Sequence, residues 1–392
     1  MTMTETTHTQ APLRPLTTAE LVEALHETER THPRLSVSGA GTAPGWGAPP
    51  APHDRKLDVS ALSGILRHNP ADMTIAVLAG TPMRAVQTAL AEHGQQIALD
   101  AARISEGATV GGLMATADSG PAQLVHGTLR DLVIGVGVTL ADGTFARSGG
   151  HVIKNVAGYD LAKLFQGSLG SLGIITEVVL RAHPQPRAVT TAQLPLTFEE
   201  AVRTGERVLA SSLEPSALTW HDNHLSVRFE GNPEGVADRT RALAETIRAP
   251  VSLHHSGAQV WEEVDELAVA EPGDTVLRIG GRPTAGPALI AALDRSVDRR
   301  QVDADVASDV GAGVHTIRLR SGNPEQRADL LTDLRAAATE LGATTVVRRR
   351  DGLPQDTDLW GTPPAYVSVM RTIKRQLDPD DRFGSGRLAP WL

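Results

Sequence analysis

The stretch Lys154–Val178, KNVAGYDLAKLFQGSLGSLGIITEV, places glycines at 167, 170 and 173 between two runs of different periodicity. Before them, Val152, Val156, Leu161, Leu164 and Phe165 fall roughly on one helical side, which predicts a helix over 152–166. After them, Ile174 to Arg181 is β-branched and predicts a strand. Removing three side chains within one short turn lets a backbone come close to another element or to a ligand. A helix C-cap followed by a turn accounts for the same residues, so the stretch needs company before it decides anything.

That company lies upstream. Asp131–Gly150, DLVIGVGVTLADGTFARSGG, predicts a β-hairpin with Asp142-Gly143 at its tip, where positive φ is required. Thr17 to Glu29 predicts a helix with a Thr cap and with Leu21, Val22 and Leu25 on one face. A short strand, RLSVS, then runs into Gly39-Ala40-Gly41-Thr42-Ala43-Pro44-Gly45. This loop is not the dinucleotide fingerprint, because its third glycine is one place late and Pro44, Pro49, Pro50 and Pro52 forbid a following helix. It can still wrap a phosphate with bare N–H groups. Thr74 to Gly94 predicts strand, turn and helix. Another glycine segment follows, with Gly111-Gly112 at a helix start, Thr109 before it and Ser119-Gly120 after it. Glycines there permit close approach and offer unpaired N–H donors, or else make a tight packing turn. Together, three glycine segments suit a long, bent ligand with phosphates and rings.

HPQPR at 183–187 reads as a domain boundary. Beyond it, helices predicted over Phe198–Ser211, Pro233–Arg248 and Pro324–Leu341 alternate with strands over Leu225–Glu230, Thr275–Ile279, Val314–Leu319 and Thr344–Arg349. That pattern predicts an α+β domain of ferredoxin-like type.

Composition closes several routes. The chain has 392 residues, 37 Lys and Arg against 46 Asp and Glu, and a formal charge of −9, which argues against a nucleic-acid partner. It has no cysteine, so it offers no disulfide, no thiolate chemistry and no Cys-ligated iron–sulfur cluster of its own. The Thr-rich start, residues 1–15, predicts a disordered tail rather than a signal peptide. No run approaches the ~18 apolar residues of a membrane span, and a cytoplasmic location fits. The G-x-S-x-G elbow and the G-x4-G-K-[ST] loop are absent. His221, His224, His254 and His255 lack metal-site spacing and read as surface or structural residues, with no metal expected. Arg348-Arg349-Arg350 reads as a solvated charge run near a strand end.

The ordered set GAGT, TVGGLMATADSGP, HGTLRDLVIGVGVTLADGT, GGHVIKNVAGYDLAKLFQGSLGSLGIITEV and IKRQLDPDDRF resembles the flavin domain of the vanillyl-alcohol oxidase / p-cresol methylhydroxylase (PCMH-type) family. Within that family it is similar to the E-subunit group of bacterial glycolate oxidases. The likeness is strong over about Ser36 to Pro186 and returns from about Ile373 to Leu388. It implies an α+β fold with a two-subdomain FAD-binding domain over 16–186 (about 16–100 and 101–186). A smaller ferredoxin-like cap over 187–365 and a C-terminal segment, 366–392, returning to the FAD domain complete it.

The resemblance also implies FAD contacts. Gly39, Ala40, Gly41, Thr42 and Ala43 match the pyrophosphate loop. Thr109, Gly111, Gly112, Thr116, Ser119 and Gly120 match the second subdomain's contacts, and Gly170, Gly173, Ile174 and Ile175 the adenosine side. Leu169 stands where many relatives have Glu, and Gly384-Ser385 where Asn-Pro is usual. Without cysteine or a His attachment motif, the FAD is expected to be non-covalent.

Catalytic relatives carry H-x-G-D-G-N-x-H near the substrate. The nearest segment here is Asp309–His315, DVGAGVH, one residue shorter, with Asp for the first His, Ala for the inner Asp and Val for Asn, so that of the motif's polar residues only His315 remains. No catalytic residue is therefore assigned. The implied function is an FAD-dependent oxidoreductase subunit that carries electrons in a glycolate/2-hydroxy-acid dehydrogenase (glycolate oxidase) complex. Its implied partners are a catalytic FAD subunit and a Cys-rich iron–sulfur subunit, through which it would sit at the inner face of the membrane. A self-sufficient FAD oxidoreductase on another substrate and a non-enzymatic scaffold of the same fold are the alternatives.

Overall fold

The computed structural model describes residues 11–151, 159–247, 251–255 and 258–392. Two sheets organise it. The first has five antiparallel strands in the order Ile65–Asn69, Thr74–Leu78, Ile174–Arg181, Val133–Thr139 and Phe145–Gly149. The last two form the expected hairpin, with Gly143 at φ 83° in its turn. The β-branched run after Gly173 is central because it pairs with Thr74–Leu78 on one edge and Val133–Thr139 on the other; Val178 and Leu180, on one face, are fully buried and each such side chain contributes about 2 kcal/mol. Residues 152–158 of the helix predicted over 152–166 lie outside the described residues; of 159–166, a helix covers only Ala162–Phe165.

A second apolar cluster sits under the parallel pair Leu35–Ser38 and Arg55–Asp58. It joins Leu21 and Leu25 of the helix Thr18–Thr28 to Ile174 and to Phe383. Thr17 caps that helix by accepting from the Glu20 N–H.

The other sheet has eight antiparallel strands. Its first half, Ala188–Pro195, helix Phe198–Leu209, Ala217–His221, His224–Gly231, helix Pro233–Ile247 and Ser252–His255, runs βαββαβ. Its second half repeats that order with Thr275–Gly280, helix Gly286–Arg300, Ala304–Asp309, Val314–Leu319, helix Pro324–Glu340 and Thr344–Arg350. The halves join where Ala217–His221 pairs with Ala304–Asp309. The alternation read as ferredoxin-like is thus two such units sharing one sheet. The predicted helices are present: Phe198–Leu209 and Pro324–Glu340 end two residues and one residue earlier than expected, and Pro233–Ile247 runs to the limit of the described residues; capping boxes at Thr197–Glu200 and Asn323–Gln326 fix two of their starts.

Candidate functional site

The three glycine segments converge. The loop after Leu35–Ser38, the start of the helix Val110–Thr116 and the turn before Ile174–Arg181 line one groove of about 440 Å³, a size typical of ligand sites. Gly39 to Ala43, Thr109, Gly111, Gly112, Thr116, Gly170, Gly173, Ile174 and Ile175 all face it. Lys56, Arg103, Arg387 and Gly384 of the C-terminal segment add to its wall.

Local chemistry explains the glycines unequally. The N–H groups of Ala40, Gly41, Thr42 and Ala43 find no backbone acceptor among the described residues. A Cβ on Gly41 would meet nothing within 4 Å, and its φ is +73°, so this loop is open, left-handed and donor-rich. Gly167 and Gly170 have φ of 75° and 73°, which answers much of the spacing: the turn needs left-handed backbone. Gly170 lines the groove; Gly167 packs toward Ala117 instead. Leu169 adopts φ 51° between them.

Of the two readings of Gly111-Gly112, the structure takes the packing turn over the free donors. Its N–H groups are not free: Gly111 donates to the Ala79 carbonyl at 2.8 Å and Gly112 to Thr109 Oγ1 at 3.1 Å. A Cβ on Gly111 would lie 2.7 Å from Ala79 Cβ, whereas one on Gly112 would meet only Thr109 Oγ1, at 3.0 Å. Gly111 therefore serves helix–strand packing, and Gly112 keeps the groove wall low.

Ser119 and Gly120 do not line the groove. They lie in a separate cavity of about 40 Å³ between the first domain and the eight-stranded sheet, and Arg103 borders both spaces. The small cavity holds side chains that the sequence did not single out. Arg278 donates to the Ser119 carbonyl at 3.1 Å and to its Oγ at 2.9 Å. Asp309 accepts from Thr219 at 2.7 Å and Gln123 at 3.2 Å, and burial pushes its carboxyl up to about 6. Burial, then the charges of Asp100 and Asp118, pushes Asp265 up to about 7.

Arg348 corrects an expectation. It is not part of a solvated run. The ladder slips at Val276/Leu277, whose partners are Arg349 and Val347, and Arg348 bulges between them. The bulge turns its guanidinium onto the Trp46 ring at 3.7 Å and onto the Thr116 carbonyl at 3.1 Å. Burial pushes it down to about 9, with Arg278 reinforcing the shift. Arg103 stacks on the same ring at 4.4 Å.

His315 points elsewhere. It is buried in the cap core against Phe198, bonded to Ser308 Oγ at 2.9 Å, and burial lowers it to about 4. His221 and His255 bond to Val306 and Thr190 within the sheet. Among the described residues no group of His, Asp and Glu could hold a metal ion, and no helix is long and apolar enough to cross a membrane.

A model described as an FAD binding domain matches residues 9–149. Glycolate oxidase subunit GlcE of Escherichia coli is 33% identical over 63% of this chain and 67% of that protein. D-2-hydroxyglutarate dehydrogenase of Xanthomonas citri pv. viticola is 27% identical over 90% of this chain and 83% of that protein. A solved alkyldihydroxyacetonephosphate synthase shares the fold, with a TM-score of 0.69 over 95% of this chain and 75% of that one at 16% identity. Fold, groove and relatives define an FAD-dependent oxidoreductase. The chain belongs to the PCMH-type FAD-binding family that includes GlcE, and FAD is its cofactor.

Proposed function

We propose that this chain is the FAD-binding subunit of a glycolate-type 2-hydroxy-acid dehydrogenase complex. The observation that carries the reading is the donor-rich Ala40–Ala43 loop opening on a groove built from all three glycine segments. A pyrophosphate fits four successive N–H groups that lack backbone acceptors. Ala40 to Ala43 would hold it, Gly112 and Gly170 would leave room for the chain of the cofactor, and Ile174 and Ile175 would give apolar contact to a ring. Ser119 and Gly120, across Arg103, belong to the neighbouring cavity in this reading rather than to the groove. Bound FAD supplies a two-electron acceptor.

The names of GlcE and of glycolate oxidase subunit GlcD of Bacillus subtilis, 39% identical over 29% of this chain and 24% of that protein, support a multi-subunit assembly. The partners would be a catalytic FAD subunit and an iron–sulfur subunit, because a chain without cysteine has no Cys-ligated cluster of its own to pass electrons on. The test is to purify the chain alone and with co-expressed partners. A yellow chain that is inactive alone and active in the complex is the expected result. A colourless chain that takes up no FAD removes the reading.

A further inference from the structure

The loop from Gly39 to Gly47 contains no helix or strand, and its N–H groups at Ala40 to Ala43 find no backbone acceptor among the described residues. An irregular loop keeps one set of donors outward only where other groups hold it. Among the described residues, side chains bond to two carbonyls between Gly39 and Gly45: Arg103 Nε donates to Thr42 at 3.1 Å and Arg387 to Pro44 at 3.3 Å. Arg103 is the deeply buried one, 6% exposed. In a trans peptide the carbonyl and the next N–H point to opposite sides, so the grip of Arg103 on the Thr42 carbonyl turns the Ala43 N–H away from it. The same guanidinium stacks at 4.4 Å on Trp46, further along the loop, and Arg348 stacks on that ring at 3.7 Å. Its other nitrogens donate to the Ala268 carbonyl at 3.4 Å and stand 3.6 Å from Asp118. Every arm of the fork is thus occupied by protein, and two of its contacts fall on one loop.

We propose that Arg103 is a positioning residue for the cofactor's diphosphate: by holding the Thr42 carbonyl and the Trp46 ring it fixes the Ala40–Ala43 loop with its donors toward the groove. This rests on the proposed seat of the pyrophosphate in that loop. Arg103 acts through the loop, and no contact with FAD is assigned to it. A planar guanidinium suits the task because one rigid group can donate along its edge and stack through its face. Preorganised donors bind an anion better than donors that must first be ordered, so the loss of this one side chain should be felt at the diphosphate.

The test uses the full chain freed of flavin, titrated with FAD and separately with ADP, the half of the cofactor that carries the diphosphate. Removing Arg103 alone would strand the Asp118 carboxylate, so Arg103→Met is combined with Asp118→Asn. Expected is a loss of about tenfold or more in affinity for both FAD and ADP relative to Asp118→Asn alone, in a chain still folded by circular dichroism. Arg103→Lys keeps the charge beside Asp118 without the planar fork and should show a smaller loss for both ligands. Equal affinities in the double variant and in Asp118→Asn, or a loss for FAD with ADP unchanged, overturns the proposal. Where the double variant does not fold, Arg103→Lys decides: a loss for both ligands supports it and parental affinity overturns it. Gly41→Val, at a position with φ +73°, separates this inference from the reading beneath it. Weakened FAD binding in Gly41→Val with parental affinity in the Arg103 variants sinks this proposal alone; parental affinity in all of them sinks the diphosphate loop with it.

Discussion

Gly111 and Gly112 adjoin in sequence and differ in duty. Valine at 111 drives a Cβ into Ala79, an overpacking that costs about 1–3 kcal/mol of stability at a point where Gly111 and Ala79 both line the groove. Valine at 112 meets only a hydroxyl and projects into the groove, so it should lower FAD affinity by about tenfold or more while the apo melting temperature changes less than in Gly111→Val. Paired apo and holo melts check both; unchanged flavin affinity in Gly112→Val removes that residue from the site. The sequence showed both glycines but not this division, because it depends on which strand end lies beneath the helix. Asp309 makes a pH prediction. Its carboxyl is raised from 3.8 to about 6 in the fold, so the folded state holds its proton more tightly. That contribution is present below about pH 4 and is lost as pH rises through about 6, amounting to up to about 3 kcal/mol. Asp309→Asn should flatten the stability profile over that window, measured by urea unfolding at several pH values; a parallel profile in the variant would show that Asp309 does not titrate there.

Elements whose signal is periodic were legible: the capped helices Phe198–Leu209 and Pro324–Glu340 and the strands Val314–Leu319 and Ile174–Arg181 appear where their patterns place them. Strands without alternation were not. Ala188–Pro195 and Ala304–Asp309 mix Thr, Ala and Asp and gain their place from neighbours, so the doubling of the ferredoxin-like unit stayed hidden. The bulge at Arg348 left no trace either, since a ladder slip is a relation between two strands and three arginines in a row read as a surface. The C-terminal segment offers a test at this scale. Arg382, 3% exposed, donates to the carbonyls of Pro33, Leu25 and Ala141 and to Thr28 Oγ1. It ties the chain end to the first helix and to the hairpin. Arg382→Met leaves those buried acceptors unpaired and should cost about 3 kcal/mol. Limited proteolysis should then release residues beyond Asp378 first; an intact C-terminus at equal stability would deny it that tie.

At the scale of the whole molecule, the proposed function separates cofactor binding in this chain from chemistry and electron exit in its partners. The groove lies in the first domain, the charged cavity lies between domains, and no cysteine exists to carry electrons onward. FAD should therefore be held without a covalent bond, and acid should release it into the supernatant; flavin retained by the denatured chain would contradict this. Activity follows the same division. His315 bonds to Ser308 Oγ through Nδ1, its Nε2 is enclosed in the cap core without a partner, and burial lowers it to about 4; both Asp309 oxygens already accept from Thr219 and Gln123, so neither is expected to take a substrate proton. The isolated chain should bind FAD and reduce a dye acceptor negligibly with glycolate or D-lactate, and rates should appear when the partner subunits are co-expressed. His315→Ala should then lower the rate of the complex only modestly, well short of the ~10²–10⁴-fold expected for a general base, and should act mainly through stability. Brisk turnover by the chain alone, abolished by His315→Ala, would make this chain a self-sufficient oxidoreductase and return the histidine to the chemistry.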